Sequence, residues 1–309
     1  MATETPARRA PSPYARGLAL GPEVAQLAVV GMWASTFVLT KGVFAEVTPL
    51  AFTGARFLLI PALALAVLAA RNGGRLPPVA RADLPRFVAA GLTGYTGYQL
   101  GFVLGLDRTS PFASSLLIAL VPLFTTAMLA LRGEPTPRRA WVGLAIAVVG
   151  VAIFLADKRG SSADGGVVGD LLSLGAAVSF AAYGVLTRPL VLAYPRETYT
   201  AYTTLAGAVP LLLIAAPAMV AQPWATVTGR DWLAIVYLSI FPVYVAYQLW
   251  NWAISRRGAV AASAFALLVP VVGGVLSALI IDERFGPTKL LGAGLVLAGL
   301  AVLRLRRLG

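Results

Sequence analysis

Ten apolar stretches recur along the chain, at about 24–45, 49–70, 85–106, 112–131, 139–157, 168–188, 199–221, 231–254, 260–281 and 288–305. A helix rises about 1.5 Å per residue and bilayer hydrocarbon is about 30 Å thick, so roughly 20 apolar residues in a row suffice to cross it. Hydrocarbon offers backbone amides no water, which restricts crossing segments to helices or closed barrels, and these runs are too long and too uniformly apolar for barrel strands. The expected fold is therefore an all-α membrane protein of ten transmembrane helices. Composition agrees, with 58% hydrophobic and 12% charged residues, whereas a soluble domain carries about 25% charged residues. The 31 glycines and 21 prolines then count as packing and kinking positions rather than loop material.

Between the stretches lie short turns such as Asn72-Gly73-Gly74-Arg75 and Arg132-Gly133-Glu134-Pro135, too short for a separate domain. Residues 1–23 hold Arg8, Arg9 and Arg16 and no apolar core, so they read as a cytoplasmic tail rather than a cleaved signal peptide. Charge gives the orientation. With the amino terminus inside, 17 of the 25 lysines and arginines fall in inner segments and 7 in outer ones, leaving Arg56 within a span. That bias predicts two cytoplasmic termini in a bacterial inner membrane and explains the net charge of +12 without nucleic acid.

The halves repeat one another. Ser110–Pro122 (SPFASSLLIALVP) matches Gly258–Pro270 (GAVAASAFALLVP) at an offset of 148. Gly133-Glu134 leads to Gly143 and Gly150 as Asp282-Glu283 leads to Gly292 and Gly299, and Tyr98-Gln99-Leu100 matches Tyr247-Gln248-Leu249, both at 149. Leu39-Thr40-Lys41 matches Leu186-Thr187-Arg188 at 147. Five spans per half is an odd number, so the second copy enters the membrane from the opposite side, the arrangement that supports alternating access. The expected organisation is a first repeat at 24–157, an outer linker at 158–167, a second repeat at 168–305 and a cytoplasmic end at 306–309.

With these blocks in register, the chain resembles the EamA branch of the drug/metabolite transporter superfamily. The resemblance rests on Trp33-Ala34-Ser35-Thr36-Phe37 with Lys41, on Pro49 with Arg56-Phe57, on Pro122 followed by Gly133-Glu134 and Gly143, and on Pro270 followed by Glu283, Gly292 and Gly299. Asp282 stands where the family's hairpin usually has glycine. The resemblance implies ten helices around a central cavity, bordered mainly by the third, fourth, eighth and ninth spans, and export of small metabolites such as amino acids.

Glycines at 91, 94, 97, 101 and 105 make one side of the third span nearly flat, open to close approach by another helix. Tyr95, Tyr98 and Gln99 stand beside that stripe, and Tyr244, Tyr247, Gln248 and Asn251 fall on one face of the eighth span. An amide left facing lipid would be unpaired, so either cavity lining or interhelical bonding is expected of them. Trp33, Tyr183, Ser114, Ser115 and Ser263 complete the candidate substrate contacts, which together suit an amphipathic or aromatic cargo. Lys41 is expected at the outer mouth. Arg56 is either a structural anchor or a contact for a substrate carboxylate.

Other function classes find little support in these residues. There is no cysteine or histidine, no paired carboxylate within a span, and Lys41, Lys158 and Lys289 sit at span ends, so no catalytic site, metal or cofactor is expected. A membrane-embedded enzyme and a channel remain alternatives to a transporter of small molecules.

Overall fold

The computed structural model describes residues 21–156, 167–250, 252, 253, 256 and 265–304, and among them the regular structure is entirely helical. Helix α1 spans Gly21–Val43 and α2 Pro49–Arg71. A rod follows that consists of α3 (Leu84–Gly91), a π-helical turn (Leu92–Gly97) and α4 (Tyr98–Arg108). The next stretch breaks into α5 (Pro111–Ile118) and α6 (Val121–Leu131) just before Pro122, whose ring has no N–H to continue the ladder. Helix α7 (Arg138–Ala156) closes the first half.

The second half opens with α8 (Val167–Leu186) and a short α9 (Arg188–Ala193), followed by α10 (Arg196–Ala221). Helix α11 (Gly229–Ile240) runs through a second π turn, Phe241–Val245, and on to 250. Helices α12 (Leu268–Ile281) and α13 (Pro287–Arg304) end the described chain. The described outer ends of the crossing segments lie within three residues of those read from the sequence, except that the sixth, expected to end at 188, runs on through α9 to Ala193. The start of the ninth predicted stretch, with Ser263, lies outside the described residues, as does Asn251.

Seven of these helical segments are long and apolar enough to cross a membrane, while α12 and α13 are shorter apolar helices. Their outward faces carry large side chains that water would not tolerate in such number: Leu213, Leu233 and Leu279 are each more than 70% exposed. The protein is accordingly a multi-pass membrane protein.

Glycine sets the closest approaches. Helices α7 and α13 lie backbone to backbone, because a Cβ on Gly143 would stand 2.6 Å from the carbonyl oxygen of Gly299 and one on Gly150 2.8 Å from that of Gly292. The predicted flat stripe is used in the same way: Gly91 abuts Gly207 of α10, and Gly101 and Gly105 rest on α8 at Leu172, Ala176 and Ser173. Two main apolar clusters fill the interior. One gathers Phe37, Phe52, Phe102, Leu106, Ile235 and Leu238; the other gathers Phe112, Leu116, Phe154, Val296 and Leu300.

Candidate functional site

The two π turns occupy equivalent places in the halves, Leu92–Gly97 and Phe241–Val245, at the same offset of 149 that relates Tyr98-Gln99 to Tyr247-Gln248. A π turn widens the ladder by one residue and leaves backbone carbonyls available, which is why such turns collect at functional sites. In each rod a carbonyl of the turn accepts a bond from a helix of the other half. Ser179 Oγ of α8 donates to the Thr93 carbonyl at 2.9 Å, and Trp33 Nε1 of α1 donates to the Pro242 carbonyl at 3.1 Å.

Aromatic rings continue from these anchors. The Trp33 ring lies 5.8 Å from Tyr247 and 5.1 Å from Trp250. On the other side Tyr98 contacts Phe180 at 4.9 Å, Phe180 contacts Tyr183 at 5.5 Å, and Tyr183 contacts Tyr95 at 5.8 Å. The structure thus brings Tyr95, Tyr98 and Tyr183 together, and separately joins Trp33 to Tyr247. Tyr244 is tied elsewhere, donating from its hydroxyl to the Ile60 carbonyl of α2 at 2.8 Å.

The two glutamines are not equivalent in their surroundings. Gln99 is buried with its amide nitrogen unpartnered, whereas Gln248 is exposed. Ser114 and Ser115 are fully buried and engaged within the protein, Ser114 with the Ser173 hydroxyl at 3.0 Å and Ser115 with the Phe112 carbonyl at 2.8 Å.

Arg56 sits inside the bundle, 4% exposed. It donates from Nη2 to the Leu238 carbonyl at 2.8 Å and lies over the Phe52 ring at 5.2 Å, while Nε and Nη1 have no acceptor. Lys41 closes the end of α4, donating to the carbonyls of Leu106 and Asp107 at 2.8 and 2.7 Å. At the same end Glu283 is buried, paired with Lys289 at 2.9 Å and accepting from Ser277 and from the Phe112 amide. At the opposite end Glu134 pairs with Arg188 at 2.8 Å, in the open.

Sequence reasoning overlooked three of these features. Trp250, which a uniform helical wheel places off the face of Tyr244, Tyr247 and Gln248, packs on Trp33. Asp170, in the first turn of α8, is completely buried and accepts from Thr109 at 2.6 Å; its place among the first free amides of a helix was the available signal. The burial of Lys289 carries no local signal, since its partner is six residues back across a hairpin.

Outside the apolar belt, a cavity of about 270 Å³ opens between the loop after α2 and the loop before α10, lined in part by Arg71, Asn72, Tyr194 and Glu197. Beside it Asp83 accepts from Tyr194 and Arg86, and these two hydrogen bonds hold its carboxyl below the usual range.

Comparison with known proteins follows the same division of the chain. The model of the EamA-like transporter family matches twice, over residues 23–156 and 167–305. The chain is 31% identical over 253 residues to a protein of Streptantibioticus cattleyicolor described as a probable terminal-alkyne amino-acid exporter, covering 82% of this chain and 83% of that one. It is 26% identical to a probable amino-acid metabolite efflux pump of Escherichia coli, covering 90% and 93% of the two chains. A crystallised protein of 24% identity shares the fold, with a TM-score of 0.62 over 93% of this chain and 99% of that one.

Proposed function

The chain belongs to the EamA-like transporter family, and on that footing we propose that it exports amino acids, aromatic or otherwise amphipathic ones among them, by alternating access. The chain is a secondary transporter of small metabolites in a bacterial inner membrane, and no enzymatic step belongs to its family. Export and amino acids come from the relatives named above.

The proposed architecture is ten crossings in two inverted repeats of five, 24–157 and 168–305, joined by an outer linker and with both termini in the cytoplasm. The double match of the family model is the observation that carries it. Paired features support it: π turns at 92–97 and 241–245, and the reciprocal approach of Gly143 and Gly150 to Gly299 and Gly292. In this frame the Glu134 hairpin faces the cytoplasm and the Glu283 hairpin the outside. The proposed path runs between Trp33, Tyr98, Tyr183 and Tyr247, with Tyr95, Gln99, Tyr244 and Gln248 contributing along it and Ser114 and Ser115 behind; Asn251 and Ser263, outside the described residues, are proposed as contacts from their sequence positions alone.

Two experiments test this reading. Proteoliposomes loaded with unlabelled amino acids should accumulate labelled ones by counterflow, with and without proton and sodium gradients. Conductance far above carrier turnover, or chemical conversion of the label, would replace the transporter with a channel or an enzyme. The natural sequence has no cysteine, so single cysteines at Ala45 and Asn72 should react with an impermeant maleimide from opposite sides of the membrane. Reaction from one side would break the topology. Gln248→Ala should lower counterflow several-fold at unchanged folded yield, and unaltered kinetics would take Gln248 off the path.

A further inference from the structure

We propose that Arg56 holds the carboxylate of the cargo, so that the transporter takes an amino acid by its acidic end and selects against molecules that lack one. The proposal rests on the transport reading above and specifies which end of the substrate is recognised. It begins from an imbalance of charge. Arg56 is a buried cation with no ion-pair partner among the described residues, and its surroundings include Phe52, Leu238 and Tyr98. An isolated buried charge is strongly unfavourable, and ionisable groups held within a membrane protein's interior mark substrate or ion paths.

Anchoring accounts for only part of the side chain. Pro242 has no N–H to offer the carbonyl four residues back, Leu238, and Arg56 Nη2 supplies a donor there. One neutral donor would do as much. Nη2 carries two hydrogens and uses one, while Nε and Nη1 use none. Whichever hydrogen of Nη2 is engaged, the other completes a fork with Nε or with Nη1. A complete guanidinium fork is the geometry that captures a carboxylate through two parallel bonds.

The neighbouring groups suit the remainder of such a molecule. Tyr98 lies within electrostatic reach of the guanidinium, and its ring leads to Phe180 and Tyr183. An apolar or aromatic side chain held by its carboxylate at Arg56 would extend along these rings. The second repeat carries Thr203, Thr204 and Leu205 at the offsets that match Arg56. The pseudo-symmetric scaffold therefore offers one cationic anchor, and the cargo has one orientation on it.

The test is counterflow of a mixture of labelled protein amino acids in proteoliposomes, competed by unlabelled amino acids or by their α-carboxamides. Wild-type protein should be inhibited at least tenfold more effectively by the acids than by the amides. Arg56→Gln, which keeps a neutral amide donor and removes the charged fork, should bring that ratio to within about twofold, and Arg56→Lys should retain an intermediate preference. A purely structural Arg56 would lower thermal stability in Arg56→Gln and leave the acid-to-amide ratio unchanged, which overturns the proposal. Should Arg56→Gln fail to fold, the wild-type series decides by itself: equal competition by acids and amides refutes the carboxylate anchor while transport stands. Absence of any wild-type amino-acid flux overturns the transport reading and the anchor with it.

Discussion

The hairpins that follow α6 and α12 are built alike and placed differently. Each turns through one left-handed residue, Gly133 at φ 80° in the first and Asp282 at φ 53° in the second. Each then presents a glutamate, Glu134 or Glu283. An aspartate tolerates the left-handed region better than most residues, so the departure from glycine leaves the turn intact. Beyond the turn the likeness ends. Glu134 and its partner Arg188 are 44% and 65% exposed, whereas Glu283 and Lys289 are 6% and 3% exposed. Arg188 and Lys41 match in the sequence repeat, Lys41 in the last turn of α1 and Arg188 at the start of α9 just past α8, yet Arg188 reaches the glutamate while Lys41 is spent on the carbonyls of α4. One scaffold has thus been set in two states: a hairpin sealed into the bundle at one end and a hairpin free in solvent at the other. Under the proposed inverted-repeat architecture, matching hairpins in unlike states are what an alternating-access carrier would show in any single conformation.

Breaking the sealed side should have the largest effect. Lys289→Met leaves Glu283 buried without its cation and should cost about 3–5 kcal/mol, read as a large fall in thermal midpoint; a shift as small as that of an exposed pair would show that the burial is inconsequential. Intermediate effects belong to the turns. Gly133→Ala forces a Cβ into left-handed backbone and should destabilise by about 1 kcal/mol, while Asp282→Gly should be neutral or slightly stabilising. Equal responses at the two turns would mean that their backbone states differ less than their φ angles indicate. The smallest effect is expected from Arg188→Ala, between about 0 and 1 kcal/mol and weaker still at high salt. A loss comparable with that of Lys289→Met would erase the contrast. Asp83, beside the exposed end, adds a pH dependence of known sign. Its carboxyl is held low in the fold, so its contribution is present above the ordinary carboxylate range and disappears as pH falls through the lowered value. Asp83→Asn should flatten the acid limb of a stability profile, and an unchanged limb would remove this contribution.

The helices were legible because span length is fixed by the membrane, and unbroken apolar runs between charged turns leave few alternatives. The glycine stripe was legible in part: small residues three or four apart allow close approach, and Gly94, Gly97, Gly101 and Gly105 do meet α8, but Gly91 meets α10, because the π turn between them breaks the single face that a uniform period predicts. The environments of matching side chains were harder to read. Gln99 and Gln248 stand at the same place in the repeat, but one is buried and the other exposed, since their neighbours come from different helices. A helical wheel assumes one uniform period, and the eighth stretch contains a π turn that interrupts it. That interruption hid the meeting of Trp250 with Trp33. Long-range pairings such as Thr109 with Asp170 depend on which helices become neighbours, which no local pattern specifies.

The π turns have a consequence for which way the two rods face. Each contains one residue more than an α-helix of the same pitch count, and one residue corresponds to about 100° of rotation about the axis. The segments on either side of the turn are therefore out of phase, so that each can present its face to a different partner. In the first rod Gly91 is fixed against α10 while Gly101 and Gly105 are fixed against α8. The turn between them works as a slip joint, accommodating two partners that face different ways. Deleting a single residue from 92–97 would restore phase and lock the joint, swinging Tyr98 and Gln99 about a quarter-turn or more from their present neighbours.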